Sequence, residues 1–171
     1  MKYLTLIFLI FLLPIATKAQ LKETIREQAF VVAKATMDGD YETIVNKTYT
    51  SLVEMAGGKD KMIRIIKEAM EQLKSQNTTI DTVIIGFPQD GIYKAGNELH
   101  TLIPEALVMS TPKGRVIAKS FIIAISKDDG LTWSFLQLGE SINNETIKRY
   151  LPNFNENLKL PEEQKPILYT H

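Results

Sequence analysis

Arg115–Leu138 reads RVIAKSFIIAISKDDGLTWSFLQL. Two apolar runs, Arg115–Ser126 and Leu131–Leu138, flank a short polar join. Both runs are rich in β-branched and aromatic residues, which suit a pleated, half-buried surface. The join carries Asp128, Asp129 and Gly130, residue types that reverse a chain. The stretch therefore predicts an antiparallel hairpin. Its first run is the most apolar of the expected strands and is placed centrally in a sheet. Within SKDDGLTW, five residues take structural turn roles. Asp128 is expected to accept backbone N–H bonds and Gly130 to take positive φ. Ser126 and Thr132 would face each other across the hairpin ends, and Trp133 would lay its ring against the base.

Working backwards, Thr111–Gly114 (TPKG) predicts another hairpin turn. Glu98–Met109 reads as a long strand interrupted by Pro104. Proline cannot donate to a ladder, so an edge or a bulge is expected there. Gly91–Asn97 is read as a short irregular edge, Pro88–Gly91 as a turn and Thr78–Phe87 as a strand. Consecutive hairpins make an antiparallel meander.

Before Thr78 the period changes to helical. Leu21–Asp38 carries Leu21, Ile25, Ala29, Val32, Ala33 and Thr36 on one face and stops at Gly39. Tyr41–Ala56 shows a stripe at three- and four-residue steps, capped by Asp40 and broken by Gly57-Gly58. Lys59–Ser75 places Met62, Ile66, Ala69, Met70 and Leu73 on one side as core filler. Its charges belong to a solvated face. After the meander, Asn144–Leu151 predicts a short helix that Pro152 stops. The polar, proline-bearing stretch 153–171 predicts a loosely packed tail.

Three helices followed by a meander define an α+β domain, over 20–152, with the helices on one sheet face. The element order over Leu21–Gly139, with the DGDYETIV join between the first two helices, resembles the nuclear transport factor 2-like group, also termed cystatin-like or SnoaL-like. That resemblance implies a curved sheet forming a cone with the helices across it, and a homodimer through the sheet. SKDDGLTW is similar to the Asp-box hairpin of sialidases and other β-propellers. One box and a helical first half exclude a propeller. In proteins that carry such boxes the motif belongs to the scaffold, not to catalysis.

Residues 1–19 have the form of a secretory signal peptide: Lys2, the apolar run Leu4–Leu13, Pro14, and small residues before Ala19/Gln20. The run is too short to span a bilayer comfortably, which takes about 20 residues. A soluble exported protein, periplasmic or secreted and of bacterial type, is expected, without a membrane span after cleavage. The chain has 171 residues, no cysteine, and 20 acidic against 20 basic residues. Losing Lys2 and Lys18 tips that balance slightly acidic, so nucleic acid is not an expected partner. The absence of cysteine excludes disulfide and thiolate chemistry. Asn46, Asn77 and Asn144 stand in glycosylation-type triplets that are expected to be unused.

No zinc-type spacing or phosphate loop occurs, and neither a metal nor a cofactor is expected. The two histidines are His100 and His171. His100 and Glu98 share a strand face, with Glu105 on the other unless a bulge at Pro104 resets the parity. By the cone resemblance, His100 and Glu98 are the candidates for proton transfer, although solvated side chains on an exposed face are the commoner outcome. Tyr93, His100 and Trp133 are candidates to line a site for a small apolar ligand. Three readings stay open: a non-catalytic binding or accessory module, which is favoured, a small cone-fold enzyme, and a structural surface or periplasmic protein.

Overall fold

In a computed structural model, residues 18–88, 91–138, 144–162 and 164–170 are described. The expectations for the leader before Lys18, Gln89 and Asp90 of the turn, the cap at Asn143, and His171 lie outside them. The backbone of the molecule is the hairpin of β3 (Glu98–Thr111) and β4 (Gly114–Ser126), paired without a register shift from Leu99↔Ser126 to Thr111↔Gly114. β1 (Thr79–Ile85) and β2 (Tyr93–Ala95) pair with β3; β5 (Ser134–Gln137) and β6 (Ile167–Tyr169) pair with β4. All these pairs are antiparallel. The helices are α1 (Lys18–Asp38), α2 (Tyr41–Lys47), α3 (Thr50–Met55), α4 (Lys59–Ser75) and α5 (Asn144–Tyr150). The fold is α+β, with helices packed on an open six-stranded sheet. Among the described residues no helix is long and apolar enough to cross a membrane.

Alternation in β3 and β4 builds two cores. On one face Ile103, Ile122, Ala124, Phe135 and Trp133 pack against Ile25, Ala29 and Ala33 of α1. The small alanines let the helix backbone approach the sheet. On the other face Leu102, Ile123, Ile125 and Leu136 pack against Ile147, Leu151, Phe154, Leu158 and Tyr49. Each fully buried isoleucine contributes about 1.5–3 kcal/mol.

Burial is lopsided along the sheet. Ile122–Ser126 of β4 are all buried, whereas Arg115–Phe121 are half-buried or exposed. β3 shows the same gradient in reverse, from Glu98–Ile103 to Ala106–Thr111. The sheet thus has a sealed end and an open end.

Four local features depart from the sequence reading or refine it. The stripe over Tyr41–Ala56 is two helices. Thr48 and Tyr49 are extended, Thr48 bridges Phe135, and Tyr49 N–H donates to the Phe135 carbonyl at 2.9 Å. A β-branched and an aromatic residue satisfy the β5 edge there, while the side-chain period runs on unbroken. Pro104 makes neither a bulge nor an outer strand. β1 ends at Ile85, and Gly86 N–H donates to the Pro104 carbonyl at 2.9 Å. The missing donor falls where the neighbouring strand has stopped. Gly86 is required because a Cβ would sit 2.6 Å from the proline ring. The bulge lies in β1, between Ile80 and Thr82.

The third feature is α4, whose apolar stripe contributes no fully buried residue: Met62, Ile66, Met70 and Leu73 are half-buried, and Ala69 is exposed. The fourth is the supposed loose tail. Phe154 and Leu158 are core residues, and β6 joins the sheet. The polar residues between them hid an apolar pair four apart, which closes one turn-rich segment over the sheet.

Candidate functional site

The sealed end carries two linked constellations. The first is the hairpin turn. Ser126 Oγ donates to Asp128 Oδ1 at 2.8 Å and accepts from Gly130 N–H at 2.9 Å. Thr132 donates to Asp128 twice, from its N–H (2.8 Å) and its hydroxyl (2.6 Å). Trp133 Nε1 donates to the Gly130 carbonyl at 3.0 Å, and the indole is 2% exposed. Burial works to raise the Asp128 pKa, but the Thr132 and Ser126 donors outweigh it and hold the carboxyl below its ordinary value. α1 is tied to this turn through Gln28, which donates to the Leu131 carbonyl and accepts from Trp133 N–H, both at 3.0 Å. The side chains of Ser126, Asp128, Thr132 and Trp133 are thus occupied internally, and Trp133 is a core residue on the α1 face, away from Tyr93 and His100.

The second constellation is on the opposite face. His100 is wholly buried and Glu98 is 6% exposed, not solvated as the commoner outcome for such a pair would have it. His100 Nε2 donates to Glu98 Oε2 at 3.1 Å. A carboxylate only accepts, so Nε2 carries the proton of the neutral ring. Tyr49 Oη donates to Glu98 Oε1 at 3.0 Å, and Lys127 Nζ lies 3.5 Å from the same oxygen. Lys127 also sits 4.8 Å from the centre of the Tyr49 ring. Phe154 stacks on His100 with ring centres 6.4 Å apart, and Tyr93 is the cross-strand neighbour of His100. Nδ1 of His100 is buried without a hydrogen-bond partner.

Burial lowers the His100 pKa, against a smaller opposing effect of the Glu98 hydrogen bond and charge. Burial raises that of Tyr49, and its bond to Glu98 adds to the effect. At neutral pH the ring is therefore neutral. Three donors converge on the Glu98 carboxyl, the satisfaction a buried carboxylate requires. The arrangement holds a proton at Nε2 and presents an unused lone pair at Nδ1. Proton transfer to a substrate would need that substrate within hydrogen-bond reach, and the closed packing leaves His100 no exposed surface.

Of the predicted site residues, the fold brings Tyr93, Glu98 and His100 together and leaves Trp133 and Glu105 on the other face. The parity is not reset, because pairing runs straight through Pro104. Glu105 accepts from Ser120 Oγ (3.0 Å) and Gln137 Nε2 (2.8 Å). Sequence reasoning missed Tyr49, Lys127 and Phe154. Tyr49 reads as one more apolar position of a helix, and Lys127 occupies a variable position of the turn. Only the preceding motif residue, Ser126, signals that Lys127 has a defined position.

At the open end, two hollows flank β6. One, of about 430 Å³, is lined by Thr78, Pro112, Lys113, Val116, Pro166 and Leu168, among others. The second, of about 460 Å³, is lined by Ser110, Gly114, Arg115, Ile117, Tyr169 and Thr170. Among the described residues no three His, Cys, Asp or Glu side chains gather in a way that could hold a metal ion. No protein-family model matches the chain, and no curated protein matches it.

Proposed function

We propose that this chain is an exported, non-catalytic binding module that takes a small, mainly apolar molecule at the open end of its sheet. The hollow beside Val116 and Leu168 carries this reading. It has the size of a small-molecule site, apolar Pro112, Val116, Pro166 and Leu168 alongside Thr78 and Thr111, and a cation, Lys113, among its lining residues. The core positions of the sealed end, by contrast, are already filled by the protein's own side chains. In this reading the sheet is the wall of a nuclear transport factor 2-like cone whose mouth is the open end. The SKDDGLTW turn is an Asp-box-like clasp at its closed tip. The leader up to Ala19 directs export, and the cone pairs through its sheet as a homodimer.

Native mass spectrometry of the protein purified from its own host tests the proposal. A retained small molecule is expected, and its loss in Val116→Arg. A wild-type protein that carries no added mass and does not saturably bind an apolar fluorophore such as anilinonaphthalene sulfonate would overturn it, leaving a structural role. The same spectrum reports the oligomer.

A second reading has its own observation. The buried His100–Glu98 bond with a free Nδ1 supports proton-transfer chemistry in a small cone-fold enzyme. It requires turnover that His100→Gln abolishes while binding at the Val116 hollow persists.

A further inference from the structure

We infer that Leu151–Leu160, the segment following α5, is a pH-sensitive latch over His100. It is closed while the imidazole is neutral and released when Nδ1 takes up a proton. The geometry is that of a buried ring with one nitrogen satisfied and the other not. Nε2 is engaged with Glu98, and Nδ1 has no partner. Protonation turns Nδ1 into a buried donor without an acceptor and places charge in a wholly buried ring stacked on Phe154 and flanked by Ile125. Such a group must reach water.

The walls around the ring differ in how they are held. On the sheet side, His100 lies in the ladder between Tyr93 and Ile125. The latch instead shows local turns, Phe154 N–H to the Leu151 carbonyl and Leu158 N–H to the Asn155 carbonyl. It is tied across to β2 by Asn155 Nδ2 on the Lys94 carbonyl at 2.7 Å. Lys148 of α5 pairs with Glu156. The latch is otherwise seated by burial of Leu151, Phe154 and Leu158, with Phe154 stacked on the imidazole itself. It is the wall that can move without breaking the sheet.

The other titratable groups around the ring set the balance. Glu98 from β3 favours the imidazolium, and Lys127 from the turn opposes it. Tyr49, its pKa raised by burial and by its bond to Glu98, stays neutral over the pH range concerned. Glu156 is held ionised by Lys148 well below that range. Burial of the closed ring outweighs the attraction of Glu98, so the closed state resists the proton that the open state accepts. Release is then linked to proton uptake below the ordinary histidine value of about 6.5.

Hydrogen–deuterium exchange of the full-length protein at pH 7 and pH 5.5, corrected for intrinsic rates, tests the latch. Protection at Phe154 and Leu158 should fall roughly tenfold in the wild type, the linkage expected of one proton. The amides of Ile123 and Ile125, which open only with the whole sheet, should remain far better protected than those of the latch at both pH values. His100→Gln, which keeps a donor for Glu98 but cannot titrate here, should remove the drop. A drop that persists in His100→Gln, flat latch protection, or latch amides as well protected as Ile123 at pH 5.5 would each overturn the inference. Should His100→Gln fail to fold, the imidazole titration followed by NMR in the wild type decides. A midpoint at or above the ordinary histidine value overturns it, and a lower midpoint that coincides with release of the Phe154 ring supports it.

Discussion

Gly130 shows how much one residue of the turn carries. Its φ is +94°, and a Cβ there would lie 2.4 Å from Leu21 Cδ1, where α1 meets the turn. A β-branched residue suffers twice, from the reversed backbone and from the clash. Gly130→Val is expected to cost about 2–4 kcal/mol, in the range of backbone strain combined with overpacking. Thermal melting should show a midpoint lower by roughly 5–15 °C for a domain of this size. An unchanged midpoint would mean that neither the reversed φ nor the contact with Leu21 matters. Asp128 makes the complementary case. It accepts from Ser126 and twice from Thr132, so Asp128→Ala leaves these donors to water and is expected to cost about 1–3 kcal/mol, read in the same melts. Both roles were readable from residue type. The choice of Leu21 as the group that Gly130 must accommodate was not, because it lies more than a hundred positions away.

Among the elements, β6 is the most dependent on one neighbour. Its three residues are half-exposed and pair with Arg115–Ile117. At Gly114, φ is +130° and a Cβ would fall 2.1 Å from the Tyr169 carbonyl oxygen. Gly114→Ala is therefore expected to detach β6 while leaving the sealed end intact. Amide exchange should rise at Ile167 and Tyr169, which face Ile117 and Arg115 of β4, and not at Ile123. Protection of Ile167 and Tyr169 that survives the substitution would show that β6 does not need this close approach. The sequence pattern identified Gly114 as a turn residue but could not show what docks on it. The same limit explains Thr48–Tyr49. Helical side-chain spacing persists through a two-residue break, and the break exists only because the β5 edge is there to bond it. The Pro104 paradox likewise resolves only when β1 is seen to end at Ile85 beside Gly86.

For the whole molecule, the contrast between sealed and open ends sets how stability depends on pH. His100 is neutral and buried in the folded state, with its pKa lowered by that burial, whereas in the unfolded chain it has the ordinary value near 6.5. Above that value both states are unprotonated and nothing changes. As pH falls below it, the unfolded chain binds the proton first, so stability declines towards the folded pKa. The slope is at most about 1.4 kcal/mol per pH unit for one group. Melting at pH 5 should therefore occur several degrees below melting at pH 7, and His100→Gln should flatten this difference. Equal wild-type midpoints at the two pH values would contradict the burial of a neutral imidazole.

Read alone, the amino-acid order determined the succession of helices and hairpins, the chemistry of the SKDDGLTW turn, and the parity that puts Glu98 and His100 on one face and Glu105 on the other. These depend on spacings of two to four residues along the chain, which periodicity and turn propensity report directly. The tertiary structure alone decided that Glu98 and His100 are buried rather than solvated. Their cover comes from Tyr49, Lys127 and Phe154, in three segments on either side of them in the chain. Burial is a sum over neighbours that only the folded chain assembles, and no local pattern around His100 contains it.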